Sequence, residues 1–221
     1  HNVLGVETDP ARAAALTEAR APFYEPGLPE LLASGTASGR LRFTSKATEA
    51  DLTAAQVHFV TVGTPAAADG SVNLTALDSV ILQLAKALPE RPLDERPLVV
   101  GKSTVPVGTA ARAAQALAGR ALVVWNPEFL REGQGVKDTL YPDRIVYGLP
   151  AAPDEASRAS QLLDTVYQQL LANGVPRLRR AGQDLGELVP RDEDQLHQRR
   201  RHPLRKLRRR CHPARRRYRS R

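Results

Sequence analysis

The chain has 221 residues, 42% of them hydrophobic and 25% charged, with a formal net charge of +8 and a single cysteine. That length suits one α/β domain of ordinary size plus an extra segment, and one cysteine excludes a disulfide framework and suits a reducing, cytoplasmic setting. No apolar run reaches membrane-spanning length and no charged-then-apolar leader precedes a cleavage site, so no membrane partner is expected.

The charge is unevenly spread. Residues 177–221 carry 17 Lys and Arg against 5 Asp and Glu, a net of +12, whereas residues 1–176 carry −4. Composition breaks at the same place, from an Ala-, Val- and Leu-rich body to an Arg-rich tail. The expected organisation is therefore a domain over residues 1–176 and a disordered tail over 177–221 with too little apolar surface for a core.

In chain order, residues 1–7 read as a short buried strand already under way, the mark of a fragment. Asp9-Pro10 then opens a helix to about residue 19, an acidic cap followed by Pro in the first turn. A loop over residues 20–28 leads to a short helix ending near residue 34, and residues 41–44 form a brief strand. Residues 57–62 are a strand ending in Gly63-Thr64-Pro65, and residues 74–88 are a helix with one apolar face. The strand over residues 98–101 runs into Lys102-Ser103-Thr104-Val105-Pro106-Val107-Gly108-Thr109, followed by an alanine-rich helix to about residue 117. Strands over 121–125 and 144–147 and an amphipathic helix over 155–171 complete the body. Strands alternating with helices of this length predict a doubly wound parallel sheet with right-handed crossovers, an α/β Rossmann-like fold.

Ligands of such sheets bind at the carboxyl ends of the strands, and three motifs stand there. Glu7 closes the first strand, where an acid can hold ribose hydroxyls and repel a 2′-phosphate, although a lone acid at a strand end is more often a solvated cap. The hydroxyls of the 102–109 run could simply cap the next helix, but capping requires neither Lys102 nor Pro106. The octet Asn126-Pro127-Glu128-Phe129-Leu130-Arg131-Glu132-Gly133 follows the strand over 121–125. Its two carboxylates could share a helical face, where like charges four apart repel mildly. The Asn-Pro entry favours an extended departure instead, and so many charges at this position suggest a ligand to meet them.

Together these segments resemble the nucleotide-sugar 6-dehydrogenases, the UDP-glucose dehydrogenase family, over residues 1–171. The resemblance implies NAD as cofactor and UDP-glucose as substrate, oxidised to UDP-glucuronate in two hydride transfers. On it, Glu7 would hold the adenosine ribose with Arg12 nearby, and Thr64 would lie against the cofactor. Thr104 would hydrogen-bond the catalytic water beside the nicotinamide, and Glu128 would assist proton transfer through water. Residues Glu128, Phe129, Leu130, Arg131 and Glu132 would clasp the sugar nucleotide, with Glu132 also approaching NAD; no metal is implied. Pro142-Asp143-Arg144-Ile145-Val146 resembles the UDP-glucose branch more than the GDP-mannose branch, which is the alternative.

Two parts of the family pattern are not matched. The glycine-rich turn that binds the pyrophosphate should precede the strand over 1–7, so the sheet is expected to lack its first strand and to hold NAD poorly. The family's cysteine nucleophile and the Lys and Asn of its central, dimerising helix have no counterpart after residue 172; Cys211 sits in Arg210-Cys211-His212-Pro213, which does not match. The codons compatible with residues 179–198 and 204–220, shifted by one nucleotide, admit runs similar to that central helix and the segment beyond it. The tail is thus expected to be an out-of-frame translation, and the chain alone to be inactive and to lack its homodimer contact. The rival is a non-catalytic protein whose basic tail binds a polyanion; nucleic acid is the less favoured partner.

Overall fold

A computed structural model of the chain describes residues 1–181. Expectations about residues 182–221, including Cys211 and most of the reading-frame argument, lie outside the described residues.

The first strand, β1 (Val3–Val6), is followed by α1 (Pro10–Thr17), whose cap is as expected: the Asp9 carboxylate accepts from the backbone of Ala11 and Arg12. Ala19, at φ 57°, ends that turn in the left-handed region. Next come α2 (Leu28–Ala37), entered through Gly27 at φ 83°, and β2 (Leu41–Thr44), which pairs parallel with β1. A helix not expected from the sequence, α3 (Glu49–Ala54), precedes β3 (Val57–Val60). It starts with a reciprocal capping box between Thr48 and Asp51, a spacing visible in the sequence.

The remaining elements are α4 (Thr75–Ala87), a single 3₁₀ turn at Leu93–Glu95, β4 (Leu98–Gly101), α5 (Thr109–Ala116), β5 (Leu122–Trp125) and α6 (Gly135–Leu140). After them come β6 (Ile145–Leu149), α7 (Pro153–Val166), α8 (Gln168–Ala172) and β7 (Arg177–Ala181). The expected single helix over 155–171 is thus two, broken at Tyr167.

Strands β3-β4-β5-β6-β7 form one sheet and β1-β2 another. In a dinucleotide-binding sheet of order 3-2-1-4-5-6, this division falls where the first strand would sit. Among the described residues no strand joins the two sheets, and Val3 and Val6 of β1 and Phe59 of β3 are exposed.

The sheet is parallel as expected apart from one antiparallel bridge, where β6 meets β5 through the Trp125–Gly148 pair. One expectation is corrected: the structured body does not stop at residue 176, because β7 continues it to Ala181. Residues 177–181 are not disordered; they pair parallel with β6, and Arg177 and Arg179 reach the Asp164 carboxylate on α7. A short strand needs few apolar side chains when its backbone hydrogen bonds are supplied by a buried neighbour.

The core lies around β4, β5 and β6. Leu98, Val100, Leu122, Val124, Ile145 and Tyr147 pack with Ala159 and Leu163 of α7. Val99 and Val123, pointing the other way along the same strands, are also buried. Covering both faces is what parallel strands require, and each fully buried Leu adds about 1.5–3 kcal/mol. That rigid centre delivers Lys102 and Asn126 to the same end of the sheet.

Candidate functional site

At the carboxyl ends of β3, β4 and β5 the chain makes a linked set of loops. Lys102 and Asn126 continue the ladder, their amides donating to Val60 and Gly101 carbonyls at 3.0 and 2.8 Å. The Ser103 hydroxyl donates to the Val62 carbonyl at 2.6 Å, and the Thr64 hydroxyl to the Thr104 carbonyl at 2.9 Å. The Trp125 indole donates to the Ser103 carbonyl at 2.9 Å. Gly101 permits this, since a Cβ there would lie 2.5 Å from the indole ring. These hydroxyls do not cap α5; that helix begins at Gly108, in the left-handed region at φ 87°, with no side-chain cap. The capping alternative for the 102–109 run is therefore set aside.

Asn126 is the most buried polar residue here, 2% exposed. Its side-chain amide donates to the Val146 carbonyl at 2.9 Å, and its Oδ1 accepts from the Tyr167 hydroxyl at 2.5 Å and from Lys102 Nζ at 3.2 Å. Burial lowers the Lys102 pKa below the ordinary lysine value, and the nearby Glu128 charge opposes that shift. Burial likewise pushes the Tyr167 hydroxyl up to about 12, so it remains a proton donor at neutral pH.

Residues 126–134 are not helical, so Glu128 and Glu132 do not share a helix face. Glu128 is exposed and accepts from the Leu130 amide at 2.7 Å. Arg131 is bound by Asp138 of α6 through its backbone amide, Nε and NH2, at 3.0, 3.0 and 2.6 Å. The same hydrogen bonds, with the guanidinium charge, hold the Asp138 carboxyl at about 2. The Phe129 ring lies under the Arg144 guanidinium, 5.2 Å from its centroid. Leu130 and Glu132 are exposed.

Glu7 ends β1 on the smaller sheet. Its carboxylate accepts from the Asp9 amide at 2.9 Å and meets Arg12 at 3.4 Å, so these two expected cofactor residues contact each other. Thr64 and Thr104 are likewise joined directly. Glu128, Phe129, Leu130, Arg131 and Glu132 form one loop beyond β5. Tyr167, Asp138 and Glu25, whose carboxylate accepts from the Val136 amide at 3.3 Å, were not singled out in the sequence. Their contacts span 7 to 111 residues, and only the Asp138 spacing from Arg131 is short enough to suspect.

The acid closing β1 and the hydroxyl-bearing turns after β3 and β4 stand at carboxyl ends of strands, where ligands of such sheets bind. A glycine-rich pyrophosphate turn is not found among the described residues. Fold and site together define the class as a nicotinamide-dinucleotide-binding α/β domain.

Residues 1–171 match the UDP-glucose/GDP-mannose dehydrogenase family, NAD binding domain, and the chain belongs to that family. It is 38% identical over 182 residues to a UDP-glucose 6-dehydrogenase of Rhizobium meliloti, covering 80% of this chain and 40% of that protein. It is 36% identical over 180 residues to a GDP-mannose 6-dehydrogenase of Azotobacter vinelandii, covering 77% and 39%. The solved structure of a UDP-glucose dehydrogenase from Pyrobaculum islandicum superposes with a TM-score of 0.71 at 35% identity, over 85% of this chain and 42% of that one. The chain thus spans about two fifths of the length of these relatives. NAD is the cofactor of the matched domain family. No helix among the described residues is long and apolar enough to cross a membrane.

Proposed function

We propose that the chain is the cofactor-binding half of a cytoplasmic UDP-glucose 6-dehydrogenase and that residues 128–132 face the nucleotide sugar. The observation that carries this is the octet's position. It leaves a buried, four-way-bonded Asn126 at the carboxyl end of β5, beside the turn that presents Thr104.

NAD would supply the hydride acceptor for oxidation at the sugar C6. Thr104 and Thr64 would hold its nicotinamide end, Glu7 and Arg12 its adenosine ribose, and Glu132 would approach it from the sugar side. Glu128, exposed on a loop whose shape is set from both ends, takes up and returns a proton through water. The Glu128 carboxylate already points at its own loop through the Leu130 amide, which costs little to exchange for a water. Phe129 to Arg131 hold the sugar nucleotide. The second oxidation needs a thiolate to trap the aldehyde, and Cys211 lies in no matching motif. The 221-residue chain by itself is therefore assigned binding without turnover. Homodimerisation through a central helix belongs to the same proposal for the complete enzyme.

UDP-glucose is favoured over GDP-mannose by the Pro142–Val146 segment, whose Arg144 holds Phe129. Parallel titrations with UDP-glucose and GDP-mannose test the assignment. UDP-glucose is expected to shift the amides of residues 128–132 at lower concentration, with no NADH absorbance on adding NAD. Tighter GDP-mannose binding would move the chain to the other branch, and NADH formation would overturn the assignment of binding alone.

A further inference from the structure

Lys102 is unexplained by the cofactor and sugar roles, yet its position is costly. Long ammonium side chains normally turn their heads to water, whereas this one is drawn inward and burial works against its charge. It donates to both oxygens of Asn126, at 3.3 Å to the main-chain carbonyl and 3.2 Å to Oδ1. Asn126 is the last residue tied to β4 by a ladder hydrogen bond before Pro127 and Glu128. Its amide orientation is set by Nδ2 donating to Val146, which leaves Oδ1 to accept from Lys102 on one side and Tyr167 on the other. Lys102 and Tyr167 stand 65 positions apart, on β4's end and at the break between α7 and α8, and meet on one amide.

We propose that Lys102 is a positioning residue for the sugar-nucleotide loop: it fixes both oxygens of Asn126, with Tyr167 locking the same amide, so that residues 127–132 leave β5 along one path. The inference rests on the reading that residues 128–132 face a nucleotide sugar. Lys102 acts on the loop through Asn126, and the Glu128 charge partly offsets the burial of the Lys102 ammonium. Tyr167 supplies a hydroxyl that cannot be replaced by the ring alone. A packing role would make all three residues interchangeable with apolar ones of similar volume; a positioning role requires the donors.

The test compares Lys102→Arg, Lys102→Met and Tyr167→Phe with the parent 221-residue chain. The readouts are nitrogen-15 spectra of the Asn126 side-chain amide and residues 128–132, urea midpoints, and UDP-glucose affinity. Lys102→Met is expected to broaden or split the signals of residues 128–132 and weaken UDP-glucose binding about tenfold, the order of one lost charge-assisted hydrogen bond. Lys102→Arg, which keeps charge and donors, should restore single sharp loop signals and most of the affinity. Tyr167→Phe should accelerate exchange of the Asn126 side-chain amide and leave the loop intermediate between the two. The idea is overturned if Lys102→Met leaves the loop signals unchanged, or if Lys102→Arg behaves like Lys102→Met. Should Lys102→Met not fold, an unaltered Asn126 amide in Tyr167→Phe overturns it equally. If the parent chain does not bind UDP-glucose, the functional reading fails while the loop spectra still decide this inference.

Discussion

Gly101→Ala probes the contact on which the β4 and β5 ends depend. An added Cβ would lie 2.5 Å from Cη2 and Cζ3 of Trp125, a side chain 3% exposed in the sheet's centre. The indole cannot yield freely, because its Nε1 donates to the Ser103 carbonyl. Overpacking of this kind costs about 1–3 kcal/mol, and losing the indole hydrogen bond adds about 1 kcal/mol. Replacing a strand glycine returns about 0.5–1 kcal/mol of chain entropy, so a net loss of roughly 1–3.5 kcal/mol is expected. Trp125 is the chain's single tryptophan, so urea unfolding followed by its fluorescence reports the site and circular dichroism reports the fold. Adding Trp125→Leu removes the ring that clashes, and the pair should couple by more than about 1 kcal/mol. Additive effects, or a Gly101→Ala protein with parental midpoint and emission, would refute the packing argument.

His58 lies half-buried on β3, and burial lowers its pKa below 6.5. The unfolded chain therefore binds a proton before the folded one as pH falls. Stability is full above about 6.5, declines below it until the folded histidine itself titrates, and His58→Phe should remove that part of the decline in urea midpoints. Gly108→Ala meets no neighbour, so its expected cost of about 1–2 kcal/mol is purely that of a left-handed φ; Gly108→Asn should cost less in the same urea series. Asp138→Asn should leave the urea midpoint nearly unchanged but speed amide exchange across residues 129–134. Since the Asp138 carboxyl sits at about 2, the parent loop should keep its slow exchange down to pH 4.

The strands that carry the site were legible because buried parallel strands are continuous apolar runs: residues 98–101 and 121–125 have no other good explanation. The motifs at their ends were legible for the same reason, as polar residues following a strand need a purpose. What was not legible depended on distant partners. Nothing near Tyr167 in sequence indicates that its hydroxyl reaches Asn126, and without that bond α7 and α8 read as one amphipathic helix. The Arg-rich composition after residue 176 concealed β7, because its pairing to β6 is a backbone property. The short helix α6 escaped notice because six residues give too little periodicity, yet it brings Asp138 to Arg131.

The proposed NAD site puts Glu7 at the adenosine ribose and Thr64, Thr104 and Glu132 toward the nicotinamide. A nitrogen-15 NMR titration of the chain with NAD, alongside NADP, decides whether those residues meet the cofactor. Weak saturable binding is expected to shift the amides of Glu7, Thr64, Thr104 and Glu132, with NADP weaker because Glu7 repels its 2′-phosphate. Shifts confined to the basic residues after 181, or tighter binding of NADP, would contradict it.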